Sequence, residues 1–222
     1  MNDLVEQLIL EVDKGLRFCT NSFEQHKRDY PAKDMNENKL NEIEKNHSAG
    51  LMRVNHAGEV CAQALYRGQA LTADLGEVKE QMVEAAEEEL DHLAWCNRRL
   101  KELNDKPSIL NPIWYGMSFS LGALAGLAGD KWSLGFVEET EKQVVNHLEE
   151  HLEKISEKDE KTKVIINQMR DEEQSHQEQA KEAGANELPE PVKEIMNKVS
   201  KIMTSFTGSG NSLAPASLAC SW

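Results

Sequence analysis

The sequence predicts an all-α fold, and two observations support that prediction. Almost every long segment of the 222-residue chain repeats apolar side chains every three or four residues, which is the period of an amphipathic helix. The alternation of apolar and polar residues that is typical of strands is scarce. The length suits one domain with a substantial core, or one domain with tails.

The composition argues against nucleic-acid binding and against a disulfide or zinc framework. The chain has 39 acidic and 25 basic residues, a net charge of −14, whereas phosphate binding requires a basic surface. Its cysteines are scattered and form no C-x-x-C pair, at Cys19, Cys61, Cys96 and Cys220. The N-terminus lacks the basic start and long apolar run of a secretion signal, so we expect no export.

The N-terminal residues predict a short helix followed by a polar linker. Within residues 4–18, apolar side chains recur at a spacing of four, at Leu4, Leu8, Val12 and Leu16. Residues 27–46 are polar and contain Pro31. We therefore expect residues 1–46 to form an amphipathic helix and a linker, ahead of a main domain at residues 47–206.

Four long helices and one shorter helix follow. The long ones are predicted at 48–73, 77–103, 132–157 and 160–184, separated by polar breaks such as "ADLGE" and "EKDEK". The shorter one spans 191–204. Residues 207–222 contain Gly, Ser and Ala without periodicity, so this tail is expected to be disordered. Four long amphipathic helices are typical of a four-helix bundle.

An uncharged apolar segment, residues 107–129, lies between the second and third long helices. A spanning helix takes about 20 residues, but the glycines, prolines and serines here make a weak one. Basic residues flank the segment, at Arg98, Arg99, Lys101, Lys106 and Lys131. This pattern favours a helix lying in the headgroup region of a membrane, and the apolar stripe with adjacent lysines in 191–204 supports that interpretation. The alternative is a crossover helix buried against the protein or in an oligomer interface.

Two Glu-x-x-His motifs carry the predicted chemistry. They are Glu89 with His92 and Glu173 with His176, each pair on its own long helix. A spacing of three puts both side chains of a pair on one helix face. A four-helix di-metal carboxylate site combines two such motifs with one glutamate from each of the other two helices. Each motif alone is more typical of a solvated acidic face.

The other two long helices each supply the required glutamate. Glu59 is the only acidic residue in the helix at 48–73, surrounded by apolar and small side chains. In the helix at 132–157, Glu141 lies within the apolar stripe, whereas Glu138 lies at its margin and Glu139 points away. Glu59 precedes Glu89 by 30 residues and Glu141 precedes Glu173 by 32, which predicts a pseudo-twofold site.

Four carboxylates and two imidazoles would hold two divalent cations in a nearly neutral cluster. Mixed oxygen and imidazole ligands suit iron or manganese and do not select zinc. The outer N–H groups of the histidines need acceptors, for which Asp91 or the pair Asp171–Glu172 are candidates. His147, which is six residues beyond Glu141, is a candidate for a role beside the metal ligands or facing a substrate.

Several stretches also carry a family resemblance: "GLMRVNHAGEVCAQALYRGQALT", "EEELDHLAWC", "PSILNPIWYGMSFSLGALAGL", "SLGFVEETEKQVVNHLEEHL" and "MRDEEQSH". They resemble the bacterial demethoxyubiquinone hydroxylases, which are ferritin-like di-iron monooxygenases of ubiquinone biosynthesis. The resemblance covers residues 48–204. The family's iron ligands fall on Glu59, Glu89, His92, Glu141, Glu173 and His176. The resemblance implies that Glu89 and Glu173 bridge the irons and that His147 lies near the metals and the substrate.

The resemblance implies a reaction, its cofactors and its partners. Two iron ions per subunit and O₂ would hydroxylate the ring of a demethoxylated polyprenyl-quinol lipid. The chain has no nucleotide-binding glycine motif, so electrons would come from a partner protein, from NADH without a Rossmann domain, or through the quinone substrate. We expect a peripheral protein on the cytoplasmic face of the cell membrane, with a homo-oligomer or other ubiquinone-biosynthesis proteins as further partners. The alternatives are ferritin- or rubrerythrin-like iron oxidation or peroxide removal, and a non-catalytic scaffold for quinone lipid.

Overall fold

The structure is a computed structural model that describes residues 2–19, 28–37, 39–73 and 76–208. Within these ranges the chain forms seven helices and no strand. The helices are α1 (Asn2–Cys19), α2 (Glu42–Thr72), α3 (Gly76–Glu102), α4 (Asn111–Leu127), α5 (Asp130–Lys154), α6 (Glu160–Glu182) and α7 (Glu190–Gly208). The predicted all-α class is confirmed.

The long helices form a bundle of two pairs, with α2 packed along α3 and α5 along α6. Helix α4 packs along the outside of α2, and α7 contacts α2 and α5. The apolar core divides into clusters above and below a set of buried carboxylates and imidazoles, which lie on the facing sides of α2, α3, α5 and α6. The bundle therefore places polar side chains of all four long helices in one enclosed region.

The start of α2 lies about two turns earlier than the apolar pattern predicts, at Glu42 rather than near residue 48. The cause is a capping box: Glu44 N–H donates to Asn41 Oδ1 at 2.9 Å, and Asn41 N–H donates to Glu44 Oε2 at 2.8 Å. These bonds satisfy backbone donors that the helix itself leaves unpaired. Polar residues assigned to the linker thus form the exposed first turns of α2.

Helices α2 and α4 approach closely because both contribute glycines to the contact. A Cβ atom at Gly122 would collide with the backbone carbonyl of Leu65, and one at Gly68 with that of Phe119. This contact buries one face of the predicted apolar segment against the protein. Its other face is exposed, at Ile113, Met117, Leu121, Leu124 and Leu127. Among the described residues, no helix combines the length and apolar character needed to cross a membrane.

Helices α1 and α7 differ from the pattern predicted for them. Leu16, predicted on the apolar stripe of α1, is 58% exposed, whereas Phe18 is buried and lies beside Tyr115 of α4. Helix α7 continues to Gly208 because Arg53 donates from Nη1 to the carbonyl oxygens of Thr207 and Gly208, at 3.2 Å each. The prediction that the tail 207–222 is disordered is therefore wrong for residues 207 and 208, which belong to α7, and the rest of that tail lies outside the described residues.

Candidate metal centre

All six predicted ligands lie on the inner faces of the bundle. Glu59 comes from α2, Glu141 from α5, and the two Glu-x-x-His pairs from α3 and α6. The relative exposure of Glu59, Glu89, Glu141 and Glu173 is 3% or less. Burying four carboxylates without a compensating charge is strongly unfavourable, so their position in the core indicates a cation site.

The two histidines face the same pair of carboxylates. His92 Nδ1 lies 2.9 Å from Glu89 Oε2 and 2.9 Å from Glu173 Oε1, with Glu59 Oε2 at 3.9 Å. His176 Nδ1 lies 3.2 Å from Glu89 Oε1 and 3.2 Å from Glu173 Oε2. Glu89 and Glu173 therefore each direct one oxygen at His92 and the other at His176, and they lie at the centre of the cluster.

Four of these residues meet the geometric requirement for a single ion. One ligand atom from each of Glu59, Glu89, His92 and Glu173 lies within 4.8 Å of the other three. Glu141 lies on the side of His176, where it shares a hydrogen bond with Glu173 and accepts one from the Tyr66 hydroxyl. Tyr66 is fully buried. Its hydrogen bond to Glu141 was not predicted from the sequence, because an aromatic side chain on a helix face is ordinarily a core residue.

The electrostatics of the cluster are those of a cation site. Burial and the neighbouring carboxylates of Glu89 and Glu173 raise the pKa of Glu59 well above its ordinary value. Burial and the same two carboxylates also raise the pKa of Glu141. Although burial lowers it, hydrogen bonds to Glu173 and Glu89 raise the pKa of His176 to about 12. Protons are thus held on these groups, and a divalent cation would compete for the same atoms.

Each histidine also contacts a carboxylate on its outer side. His92 Nε2 lies 2.6 Å from Glu172 Oε2, and His176 Nε2 lies 2.8 Å from Glu88 Oε2. Glu172 was one of the candidates for this role and Glu88 was not considered. The signal was present in the sequence, since each motif is extended to Glu-Glu-x-x-His, and the first glutamate of each serves the histidine of the other helix.

Arg28 completes this outer layer, although it was not among the residues predicted from the sequence. Its Nε lies 2.6 Å from Asp91 Oδ2 and its Nη1 lies 2.7 Å from Glu172 Oε1. Asp91, another candidate acceptor, thus pairs with Arg28. No periodic pattern could reveal this contact, because Arg28 lies in the segment between α1 and α2 and reaches the centre only through the tertiary fold.

An apolar cavity of about 290 Å³ reaches the cluster at Glu59. Its walls come from α2, α4, α5 and α7 and are mostly apolar, with aliphatic, aromatic and methionine side chains. His147 lines the cavity without joining the six clustered residues, and its ring centroid lies 4.0 Å from that of His151. Burial lowers the pKa of His147, which favours a neutral imidazole.

The donor set fits iron. Four carboxylates balance two divalent cations, and mixed oxygen and imidazole donors are typical of carboxylate-bound iron or manganese. Neither of the two cysteines whose side chains the structure describes joins the cluster: Cys96 is buried with its thiol against Met169, and Cys61 lies on the cavity wall.

Comparison with known proteins identifies a family and several relatives that match most of the chain. Residues 46–207 match the family model described as ubiquinone biosynthesis protein COQ7. A 3-demethoxyubiquinol 3-hydroxylase of Legionella pneumophila (strain Paris) is 57% identical over 204 residues, which covers 91% of this chain and 96% of that protein. Proteins with the same name from Pseudomonas putida (strain GB-1) and Acinetobacter baumannii (strain SDF) are 53% and 54% identical, and each is covered over 94% of its length.

Proposed function

The chain belongs to the family of ubiquinone biosynthesis protein COQ7, and on that premise we propose that it is a 3-demethoxyubiquinol 3-hydroxylase. It would use O₂, two electrons and two protons to convert a ring C–H of a demethoxylated polyprenyl-benzoquinol into C–OH, and the second oxygen atom would leave as water. The observation that carries this proposal is the apolar cavity that ends at a carboxylate of the buried Glu/His cluster. A lipid quinol needs such a path from the protein surface to the reacting centre.

We propose that Glu59, Glu89, His92, Glu141, Glu173 and His176 hold two iron ions. Glu89 and Glu173 are the proposed bridges, which is supported by the contact of each with both imidazoles. When bound, the iron pair would supply the redox chemistry that activates O₂, so that one oxygen atom can enter a ring C–H bond.

The surrounding residues fix these ligands. Glu172 and Glu88 accept from the Nε2–H groups, which leaves Nδ1 of each histidine as the atom directed at a cation. The Tyr66 hydroxyl donates to Glu141 and restricts the orientation of its carboxylate. These contacts reduce the reorganisation that cation binding demands.

The cavity would hold the quinol ring near Glu59 and exclude water. Side chains such as Leu65, Met196 and Val199 provide an apolar path for the first part of the prenyl tail. His147, as a neutral imidazole on the cavity wall, is the proposed polar contact for a ring oxygen. The electron donor stays open between a partner protein, NADH and the quinol itself.

We further propose that the enzyme binds peripherally to the cytoplasmic face of the cell membrane. Support comes from the exposed apolar side chains of α4 and α7, which flank the cavity, and from Lys198 and Lys201 on α7. Leu124→Glu with Leu127→Glu should reduce co-sedimentation with anionic lipid vesicles by at least about tenfold. Ile43→Glu is the matched control, because Ile43 is 82% exposed on α2 and should leave binding unchanged. Equal loss in both variants would contradict the membrane proposal.

The central experiment combines iron analysis with turnover. Protein purified in detergent should contain two coupled irons by Mössbauer spectroscopy and should hydroxylate a short-prenyl demethoxyquinol when O₂ and reductant are supplied. Two irons without ring hydroxylation would favour iron oxidation or peroxide removal. Quinol binding that persists unchanged after iron removal, with no turnover in the loaded protein, would favour the scaffold alternative.

A further inference from the structure

The two Glu-Glu-x-x-His halves of the metal centre differ in what holds their histidines. Beside His92, the outer carboxylate of Glu172 binds Arg28 through its second oxygen, at 2.7 Å. Beside His176, the corresponding carboxylate is Glu88, and within the described parts of the chain no basic side chain other than His176 pairs with it. The pseudo-twofold repeat in the sequence is therefore broken by a residue outside the repeat.

Arg28 is held in place by several contacts around His92. Its Nε pairs with Asp91 at 2.6 Å and its backbone N–H donates to the same carboxylate at 3.3 Å. Its guanidinium lies 4.9 Å from the centroid of the Trp95 ring, which is itself 5.3 Å from the His92 ring. Arg28 thus links Asp91, which precedes His92 on α3, to Glu172, which precedes Glu173 on α6.

The half of the centre that Arg28 contacts is also the less exposed of the two. The side chains of His92 and Glu172 are 0% and 19% exposed, whereas those of His176 and Glu88 are 10% and 58% exposed. A shielded, doubly bound carboxylate loses little freedom when its histidine takes a cation, whereas an exposed glutamate must first be ordered and is screened by salt. The single-ion geometry described above also includes His92 and not His176.

We propose that Arg28 is a positioning residue that makes the two metal positions unequal. By fixing Glu172 it fixes His92, so the position served by His92 binds its cation more tightly than the position served by His176. Arg28, which belongs to none of the four long helices, therefore completes the metal centre. This inference rests on the proposed function, since it requires two cations in the six-residue cluster.

Metal titration tests the inference without relying on turnover. Metal-free protein is titrated with Mn²⁺ alone under argon, and free Mn²⁺ is measured by electron paramagnetic resonance. Wild type should bind two cations in separable steps. Arg28→Met should weaken the tighter step by about 10- to 100-fold and leave the weaker step unchanged. Arg28→Lys should recover part of the loss, because it keeps the charge without the two-pronged geometry.

Arg98→Met is the matched control. Arg98 also lies over an aromatic ring, 4.1 Å from the Tyr30 centroid, and pairs with the half-buried Glu102, and neither ring nor carboxylate belongs to a proposed ligand. Its removal should leave both binding steps unchanged. If circular dichroism shows that Arg28→Met does not fold, two other variants test the same inference. Glu172→Gln should weaken the tighter binding step, and Glu88→Gln should weaken the weaker one.

The possible results separate the inference from the proposed function. Loss confined to the tighter step supports the inference, whereas equal weakening of both steps, or none, overturns it and leaves the proposed function standing. Wild-type protein that binds no Mn²⁺ and contains no iron would overturn the proposed function itself.

Discussion

At the residue scale, the metal centre depends on pairs of consecutive glutamates. Neighbouring residues of a helix project about 100° apart, so Glu89 can face the cluster while Glu88 reaches across to His176. Glu173 and Glu172 repeat this arrangement toward His92. In each Glu-Glu-x-x-His motif, the second glutamate therefore supplies a central carboxylate, and the first supplies the outer acceptor for the histidine of the other motif.

The choice between Glu141 and Glu138 gives a direct test at this scale. Glu141 is 1% exposed and contacts Tyr66 and Glu173, whereas Glu138 is only partly buried. Glu141→Ala should lose bound iron and lower turnover by more than about 100-fold, because even partners of a ligand are worth up to that factor. Glu138→Ala should retain both iron and turnover. Iron analysis and a hydroxylation assay check the pair, and the opposite outcome would mean that the helical register of α5 is misassigned.

At the element scale, α2 connects the metal centre to the apolar surface. One of its faces carries Glu59, and another carries Gly68 against the backbone of α4. Both α2 and α4 line the cavity, so the width of the cavity depends on how closely these two helices pack. The glycines of the apolar segment thus set the shape of the proposed substrate path.

Substitution at Gly122 should disturb this packing. Gly122→Val would force α4 away from the Leu65 carbonyl and should lower the free energy of unfolding by about 1–3 kcal/mol. We also expect a higher KM for the quinol, since Leu65 and Leu121 line the cavity. Gly116→Ala is the control, because nothing lies within 4 Å of a Cβ there and it should be neutral or stabilising. Thermal unfolding and steady-state kinetics distinguish the two, and equal stability would argue against a close α2–α4 contact.

At the scale of the whole molecule, the bundle encloses carboxylates whose charge must be balanced by protons or by bound cations. The chain has a net charge of −14, and four of its carboxylates lie buried in the core beside two imidazoles. Their mutual repulsion and desolvation oppose folding unless protons or metals neutralise them. Stability of the fold and occupancy of the site are therefore expected to be linked.

Removal of metal should destabilise the protein. A cation at 100 times its Kd stabilises the folded state by about 2.7 kcal/mol per site, so chelation should lower Tm by several degrees and re-addition of Mn²⁺ should restore it. Differential scanning calorimetry with and without a chelator measures this shift. The double variant Glu59→Ala, Glu141→Ala should show no metal-dependent shift, and a shift of wild-type size there would contradict the assignment.

Acid should destabilise the protein through buried neutral histidines. Burial lowers the pKa of His151 to about 2, whereas an unfolded histidine titrates near 6.5. Between these values the unfolded chain binds a proton that the folded chain does not, so stability falls as pH falls below about 6.5, by up to 1.4 kcal/mol per pH unit. From pH 7 to pH 5, metal-free wild type should lose about 2 kcal/mol more than His151→Leu in urea unfolding. A pH-independent difference between the two would show that the pKa of His151 is the same in the folded and the unfolded chain.

The sequence by itself determined the helical class, the four long helices and the six residues that the core brings together. It could do so because burial on a helix face leaves a period, and because a lone glutamate in such a face has few other uses. Only the tertiary structure decided which carboxylates meet the outer histidine nitrogens, that Tyr66 contacts Glu141, and that Arg28 reaches His92 from outside the bundle. It also decided that one face of residues 107–129 packs on α2 while the other is exposed. These contacts join residues that are distant in sequence and follow no period, so their partners depend on how the helices pack.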